Sequence, residues 1–181
     1  GLMELMEIPE SFDTKITIED ITGLHSLKES IEESIIKDIN NFINKKSHSG
    51  NISATVLDDK LIVRIKGKAI FKSGSASLNS SAIPIFNEII KIVFEYPEYN
   101  INIKGHTDNI PISTDRYPSN WELSAIRATT VLKYLIKKGI RPERLTATGY
   151  GEIMPLVPNS NEKNRATNRR VEFVLEKATK K

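Results

Sequence analysis

The segments NINIKGHTDN, residues 100–109, and SNWELSAIRATTVLKYLIKKG, residues 119–139, together decide the fold class. In the first segment, polar and apolar residues alternate strictly over the first five positions, which is the pattern of a half-buried strand. The second segment begins with the capping box Ser119-Asn120-Trp121-Glu122 and ends in a cationic last turn followed by Gly139. A strand that leads through a polar loop into a well-capped helix is typical of an α/β fold.

The remaining elements are predicted from the same kinds of pattern. In chain order they are an amphipathic helix over about 26–45 that opens with a capping box at Ser26, strands at 52–56 and 61–65 that form a hairpin, a helix over about 80–95, and strands at 145–148 and 171–175. This order indicates a two-layer α/β sandwich with one mixed sheet, helices on one face and an N-terminal helical extension.

The phase of the helix in residues 119–139 determines which of its side chains can reach a ligand. The predicted buried face consists of the apolar residues at helical spacing, which are Trp121, Ala125, Ala128, Leu132 and Leu135. Asn120, Ser124 and Arg127 lie on one stripe beside that face. We therefore expect Arg127 at the rim of the core, where packing holds the guanidinium while it reaches outward.

Composition excludes several classes of protein. The chain has 181 residues, 39% hydrophobic and 27% charged, a balance that excludes a fully disordered chain. No apolar run approaches the ~20 residues of a membrane-spanning helix, and no signal peptide is recognisable. The absence of cysteine excludes disulfides and thiolate chemistry. The sequence begins Gly1-Leu2-Met3, and we expect it to be a piece of a longer protein.

Charge is distributed unevenly along the chain. Residues 1–45 carry four lysines and ten acidic residues, whereas residues 46–181 carry 22 basic and 13 acidic residues. The net charge of +3 is too small to indicate a nucleic-acid-binding protein by itself. The basic part could nevertheless contact an anionic polymer.

A candidate ligand site follows the strand of residues 100–104. The polar loop Gly105-His106-Thr107-Asp108-Asn109 begins where this strand ends, and such loops commonly form ligand sites in α/β folds. If the helix packs beside the strand, Asp108 and Arg127 converge and offer one carboxylate and one guanidinium. A ligand with an ammonium and a carboxylate on one carbon would satisfy both. The alternative is an ordinary Asp–Arg salt bridge that supports the loop.

Four motifs resemble the OmpA-like peptidoglycan-binding domain, over about residues 60–176. They are GHTD at 105–108, SNWELSAIRA at 119–128, TGYGE at 148–152 and NRRVEF at 168–173, and the loop FKSGSA at 71–76 is similar to the first loop motif of that domain. Within this family, the helix motif and PLVPN at 155–159 are most similar to the MotB-type stator proteins of the flagellar motor.

The resemblance implies a non-catalytic domain that binds the peptide stem of peptidoglycan, chiefly its diaminopimelate residue. By position, Asp108 would bind the ligand ammonium and Arg127 the ligand carboxylate. Asn120 and the backbone near Thr107 would add hydrogen bonds, and Arg170 matches an arginine that the family has near the site. Neither a cofactor nor a metal is implied.

The stator proteins also imply an organisation for the whole chain. Residues 1–50 would be a periplasmic linker with the amphipathic helix, and residues 51–181 would be the OmpA-like domain. The longer protein would be held in the inner membrane by an earlier helix, would work with a MotA-like subunit and would form a homodimer. The alternative is a general OmpA/Pal-type module that ties an envelope protein to the wall. The amphipathic helix would pack on its own domain or control anchoring by docking, undocking or dimerising.

Other kinds of site are poorly supported by the sequence. A hydrolase triad that includes His106 lacks a nucleophile elbow, and His25, His48 and His106 are too scattered for a metal site. Arg165, Arg169 and Arg170 form a basic cluster, which we expect to be a solvated loop flanking an edge strand. A nucleic-acid surface would need more exposed aromatic residues than a 7% aromatic content favours.

Overall fold

A computed structural model of the protein describes residues 32–44 and 50–178. The elements in these ranges are, in chain order, α1 (32–43), β1 (Ile52–Leu57), β2 (Lys60–Lys66), α2 (Gly67–Ile70), α3 (Ala82–Glu95), β3 (Tyr99–His106), α4 (Asn120–Lys137), a 3-10 turn (Pro142–Arg144), β4 (Leu145–Gly149), α5 (Glu162–Asn168) and β5 (Arg170–Lys177). None of these helices has both the length and the hydropathy needed to cross a bilayer. The capping box predicted at Ser26 lies outside the described residues.

The five strands form a mixed sheet in the order β1-β2-β5-β3-β4. Strand β3 pairs with β4 in parallel, and the other neighbouring strands are antiparallel. The hairpin between β1 and β2 turns at Asp58 and Asp59, whose φ angles of 50° and 57° suit a tight two-residue turn. The predicted α/β sandwich with one mixed sheet is confirmed. The prediction of an edge strand beside the arginine cluster is wrong, because β5 is the central strand.

Helices α1, α3 and α4 pack on one face of this sheet. Val63, Phe173 and Leu175 alternate onto that face, where they meet side chains of α1 and α3, namely Ile39, Phe42, Ile89, Ile92 and Val93. Ile35, Ile39 and Phe42 of α1 are almost fully buried, so residues 35–43 of this helix pack on the sheet. The boundary at residue 50 between a linker and a domain remains a prediction.

The predicted phase of α4 is wrong in its first two turns. Trp121, expected in the core, is 47% exposed, whereas the polar side chains of Asn120, Ser124 and Arg127 are buried. Leu123 packs with Ala76 and Tyr117 of the surrounding loops. This end of α4 is covered by polar loops and by the backbone at the ends of β3 and β4, so its buried side is partly polar. The spacing of its apolar residues therefore predicts the wrong buried face.

Two glycines let the ends of β3 and β4 lie directly against α4. A Cβ atom at Gly105 would be 2.2 Å from the carbonyl oxygen of Ser124, and a Cβ at Gly149 would be 2.5 Å from the backbone nitrogen of Ala125. Neither position leaves room for a larger residue. This close approach places the loop after β3 beside the first turns of α4.

Candidate ligand-binding site

A cavity of about 580 Å³ lies between α2 with its following loop, α4, and both ends of α5. It is lined by Gly67, Lys68, Phe71, Lys72, Ser73, Gly74, Asn79, Arg127, Glu162 and Arg169. Four of these side chains are cationic and one is a carboxylate, so the cavity favours a ligand with anionic groups.

Arg127 presents a fixed guanidinium to this cavity. The residue is 8% exposed, its Nε donates to the carbonyl oxygen of Ser75 at 2.9 Å, and its Cζ lies 5.0 Å from the ring centroid of Phe71. Within the described part of the chain, neither terminal nitrogen of Arg127 has a hydrogen-bond partner. Burial lowers the pKa of Arg127 to about 10, so it is still charged at neutral pH. Both terminal nitrogens are therefore available to a ligand carboxylate.

The loop that holds Arg127 is itself fixed by Tyr117. The Tyr117 hydroxyl oxygen accepts a hydrogen bond from the backbone N–H of Ala76 at 3.1 Å. Burial alone would raise the pKa of Tyr117, but the hydrogen bonds from Ala76 and Ser75, together with the charges of Arg116 and Arg127, lower it overall. The carbonyl of Ser75 is thereby held where the Arg127 Nε needs it.

The carboxylate of Asp108 is buried and already has partners. Its Oδ1 accepts from the N–H of Ile110 at 3.0 Å, and its Oδ2 pairs with Nη1 of Arg169. The Nη2 of Arg169 in turn pairs with Glu162. A carboxylate offers about four acceptor positions, so Asp108 retains about two. The described residues thus show no salt bridge between Asp108 and Arg127, the alternative that the sequence left open, and Asp108 pairs with Arg169 instead.

Arg169 connects Asp108, which does not itself line the cavity, to the cavity that Arg127 lines. It binds Asp108 and lines the same cavity as Arg127. Burial alone would lower the pKa of Arg169, but its hydrogen bonds with Glu162 and Asp108 raise it overall. Asp108 is also close enough to oppose the effect of burial on the pKa of Arg127. The chain of charges runs from Glu162 through Arg169 to Asp108, with Arg127 beside it.

Thr107 and Asn120 hold the loop rather than present free groups. The N–H of Thr107 donates to the carbonyl of Gly151 at 2.9 Å, and its hydroxyl donates to the carbonyl of Asp108 at 2.9 Å. The Asn120 amide donates to the carbonyls of Ile110 at 3.0 Å and Asp108 at 3.4 Å. These two residues position the backbone that carries the Asp108 carboxylate.

Arg170 lies in a different environment from the other predicted site residues. It is 5% exposed, its Nε donates to Glu172 at 2.8 Å, and it lines a separate cavity of about 320 Å³. Arg169, in contrast, lines the candidate site. Arg169 and Arg170 therefore do not form, with Arg165, the solvated cluster that we expected. Strand alternation could have shown this, because Val171 and Phe173 face the helices and residue 169 shares their side.

A family model and a curated relative match this chain. The model of the OmpA family matches residues 70–169, which is more than half of the chain. Motility protein B of Bacillus subtilis is 33% identical over 144 residues, which is 79% of this chain and 55% of that protein. The chain thus spans little more than half the length of this relative.

Solved structures match over most of the chain. A MotB-like protein from Desulfovibrio vulgaris has a TM-score of 0.77 and 36% identity, covering 83% of this chain and 94% of that one. The cell wall anchor of the type VI secretion system of Pseudomonas aeruginosa has a TM-score of 0.70 and 32% identity, covering 76% and 96%. The periplasmic domain of Helicobacter pylori MotB has a TM-score of 0.68 and 30% identity, covering 76% and 85%.

Proposed function

This chain belongs to the OmpA family, and we propose that it binds peptidoglycan in the periplasm without catalysing a reaction on it. The observation that carries this proposal is the guanidinium of Arg127. It is buried, fixed by Ser75 and Phe71, and without hydrogen-bond partners on its terminal nitrogens within the described residues. Such a group is suited to bind a carboxylate through two parallel hydrogen bonds.

The distal carbon of diaminopimelate in the peptide stem carries both an ammonium and a carboxylate, which are opposite in charge to Asp108 and Arg127. The carboxylate would bind Arg127, and the ammonium would bind the remaining acceptor positions of Asp108. The ion pair between Asp108 and Arg169 need not break, because the carboxylate can accept from both cations. Thr107 and Asn120 would act by positioning Asp108, and Arg169, rather than the Arg170 that the sequence suggested, would be the arginine beside the site.

We propose that this chain is part of the stator of a flagellar motor. In this proposal residues 1–50 link the domain to an inner-membrane helix, residues 51–181 grip the wall, and a MotA-like subunit works with the membrane part. The similarity to Motility protein B and to MotB structures supports it. One charge-assisted contact contributes about 1.5–3 kcal/mol, so a single site binds modestly. A homodimer would gain avidity, because the second site binds from a high effective concentration.

A second candidate is a general module that anchors another envelope machine to the wall. The similarity to the wall anchor of a type VI secretion system favours it, because that protein has the same fold at 32% identity. Both candidates use the same site on peptidoglycan. They differ in the process that fails when the gene is deleted: motility for a stator subunit, and secretion or envelope integrity for the general module.

Binding of purified sacculi and of a soluble stem peptide tests the proposal. We expect the protein to co-sediment with sacculi and to bind L-Ala-γ-D-Glu-diaminopimelate in a calorimetric titration. Asp108→Asn should weaken both, because the ammonium loses its counter-charge. Asp59→Asn is the matched control, since Asp59 lies in the hairpin at the opposite end of the sheet.

Two results would contradict the proposal. Failure of the unaltered protein to bind either sacculi or the peptide would remove the function, and equal binding by Asp108→Asn would remove the site. Release of glycan or peptide fragments from the sacculi would instead indicate an enzyme.

A further inference from the structure

The charges around the cavity exceed what the diaminopimelate end of a ligand requires. Arg169 is matched by two carboxylates, those of Asp108 and Glu162. Arg127 would be matched by one carboxylate of the ligand. The two other cations of the lining, Lys68 and Lys72, would still lack a counter-charge.

Lys68 and Lys72 have no ion-pair partner among residues 32–44 and 50–178. Both are exposed; Lys68 lies in α2, and Lys72 directly follows Phe71 in the loop after α2. Each contributes to the lining of the same cavity as Arg127, so a ligand held by Arg127 lies within the field of both ammonium groups.

The volume of the cavity leaves room for more than one amino acid. At about 580 Å³ it falls within the range of sites that enclose whole small ligands, about 300–1,000 Å³. In the peptide stem, the residue before diaminopimelate is a γ-linked D-glutamate, whose α-carboxylate is free in some walls and amidated in others. A stem bound at Arg127 would extend along the cavity lining with this group.

We propose that Lys68 and Lys72 recognise a second carboxylate of the stem peptide, the α-carboxylate of D-glutamate. The domain therefore discriminates between unamidated and amidated peptidoglycan. This inference rests on the proposed function and adds to the same site a preference for the unamidated stem. Arg127 and Asp108 bind the diaminopimelate end, and the two lysines bind the α-carboxylate of the neighbouring D-glutamate.

The expected discrimination is modest because both lysines are exposed. Ion pairs in water-accessible positions each change an equilibrium constant by about 1.4- to 5-fold. With both lysines acting, amidation of the D-glutamate should weaken binding by about 2- to 25-fold. High salt should reduce this difference.

The test is a cycle of two peptides and two proteins, measured by calorimetry at low salt. The peptides are L-Ala-γ-D-Glu-diaminopimelate and its D-glutamate amide, and the proteins are the unaltered chain and Lys68→Gln/Lys72→Gln. We expect the amide to bind more weakly to the unaltered chain and equally well to the double variant. The control variant is Lys133→Gln/Lys137→Gln, which removes two exposed lysines at the same spacing from α4 and should preserve the discrimination.

The outcomes separate this inference from the proposed function. If the unaltered chain binds both peptides equally, or if the double variant discriminates as well as the unaltered chain, the inference is wrong while peptidoglycan binding stands. If neither peptide binds the unaltered chain, the proposed function fails and the inference falls with it. Loss of discrimination in the Lys133/Lys137 control would show that net charge, rather than the cavity lysines, is responsible.

Discussion

Replacement of Arg127 by methionine should separate binding from stability. Methionine retains much of the length and the contact with Phe71, but it removes the charge and the hydrogen bond to Ser75. The lost hydrogen bond destabilises the fold by about 1 kcal/mol. The lowering of the pKa of Arg127 from its ordinary value to about 10 means that the folded state disfavours the charge by about 3 kcal/mol. We therefore expect the free energy of unfolding of Arg127→Met to be no more than about 2 kcal/mol below that of the unaltered protein, or to exceed it.

Binding of the stem peptide, unlike stability, should decrease clearly in this variant. A hydrogen-bonded contact with a charged group contributes about 1.5–3 kcal/mol, so Arg127→Met should weaken binding of the stem peptide by about 10- to 140-fold. Calorimetry with the peptide and co-sedimentation with sacculi measure this loss, and urea denaturation measures stability. Arg141→Met is the control, because Arg141 is exposed beside the 3-10 turn. Binding by Arg127→Met within twofold of the unaltered protein would refute the site.

Three further changes probe the frame of the site. Gly105→Ala should cost at least about 1–3 kcal/mol of stability in urea denaturation and weaken peptide binding, because its Cβ would lie 2.2 Å from the Ser124 carbonyl; unchanged stability would show that β3 and α4 are not in this contact. Trp121→Ala should change the free energy of unfolding by less than about 1 kcal/mol because the indole is exposed, whereas Leu135→Ala should lower it by about 2–5 kcal/mol because Leu135 is buried. Similar losses in the two variants would show that Trp121 packs in the core. Burial lowers the pKa of His106 below 6.5, so the unfolded chain binds more protons than the folded chain, and stability decreases by up to ~1.4 kcal/mol for each unit that the pH drops below about 6.5. His106→Gln should flatten this part of the stability profile in urea denaturation at several pH values. An unaltered slope would show that the pKa of His106 is not lowered by burial.

Much of the framework could be predicted because it depends on local signals. Ser119 caps α4 as predicted, with its hydroxyl accepting from the N–H of Trp121 at 3.2 Å and pairing with the side chain of Glu122. The alternation that predicts β3 reflects one face packed against helices. Helix α2 could not be predicted in the same way, since its four residues are too few to show a hydrophobic period.

The parts that sequence analysis missed depend on contacts between distant segments. The ion pair between Asp108 and Arg169 joins residues 61 positions apart, and nothing local distinguishes Arg169 from Arg170 except the strand phase. The burial of Asn120 likewise results from the carbonyls of the loop that it supports. Hydrophobic periodicity detects helices that pack against an apolar layer, and it fails where a helix packs against polar loops.

The reversal of Trp121 and Arg127 on α4 is itself an argument for a ligand. A helix packed only for stability would bury the indole and expose the guanidinium, whereas this chain buries the guanidinium and exposes the indole. The fold thus retains a charge that burial disfavours. A ligand carboxylate would meet a guanidinium that has already lost most of its water and its rotational freedom, so little ordering cost remains on binding. Stability preserved together with lost binding in Arg127→Met is what this explanation requires, and a variant that lost its fold would indicate a structural role instead.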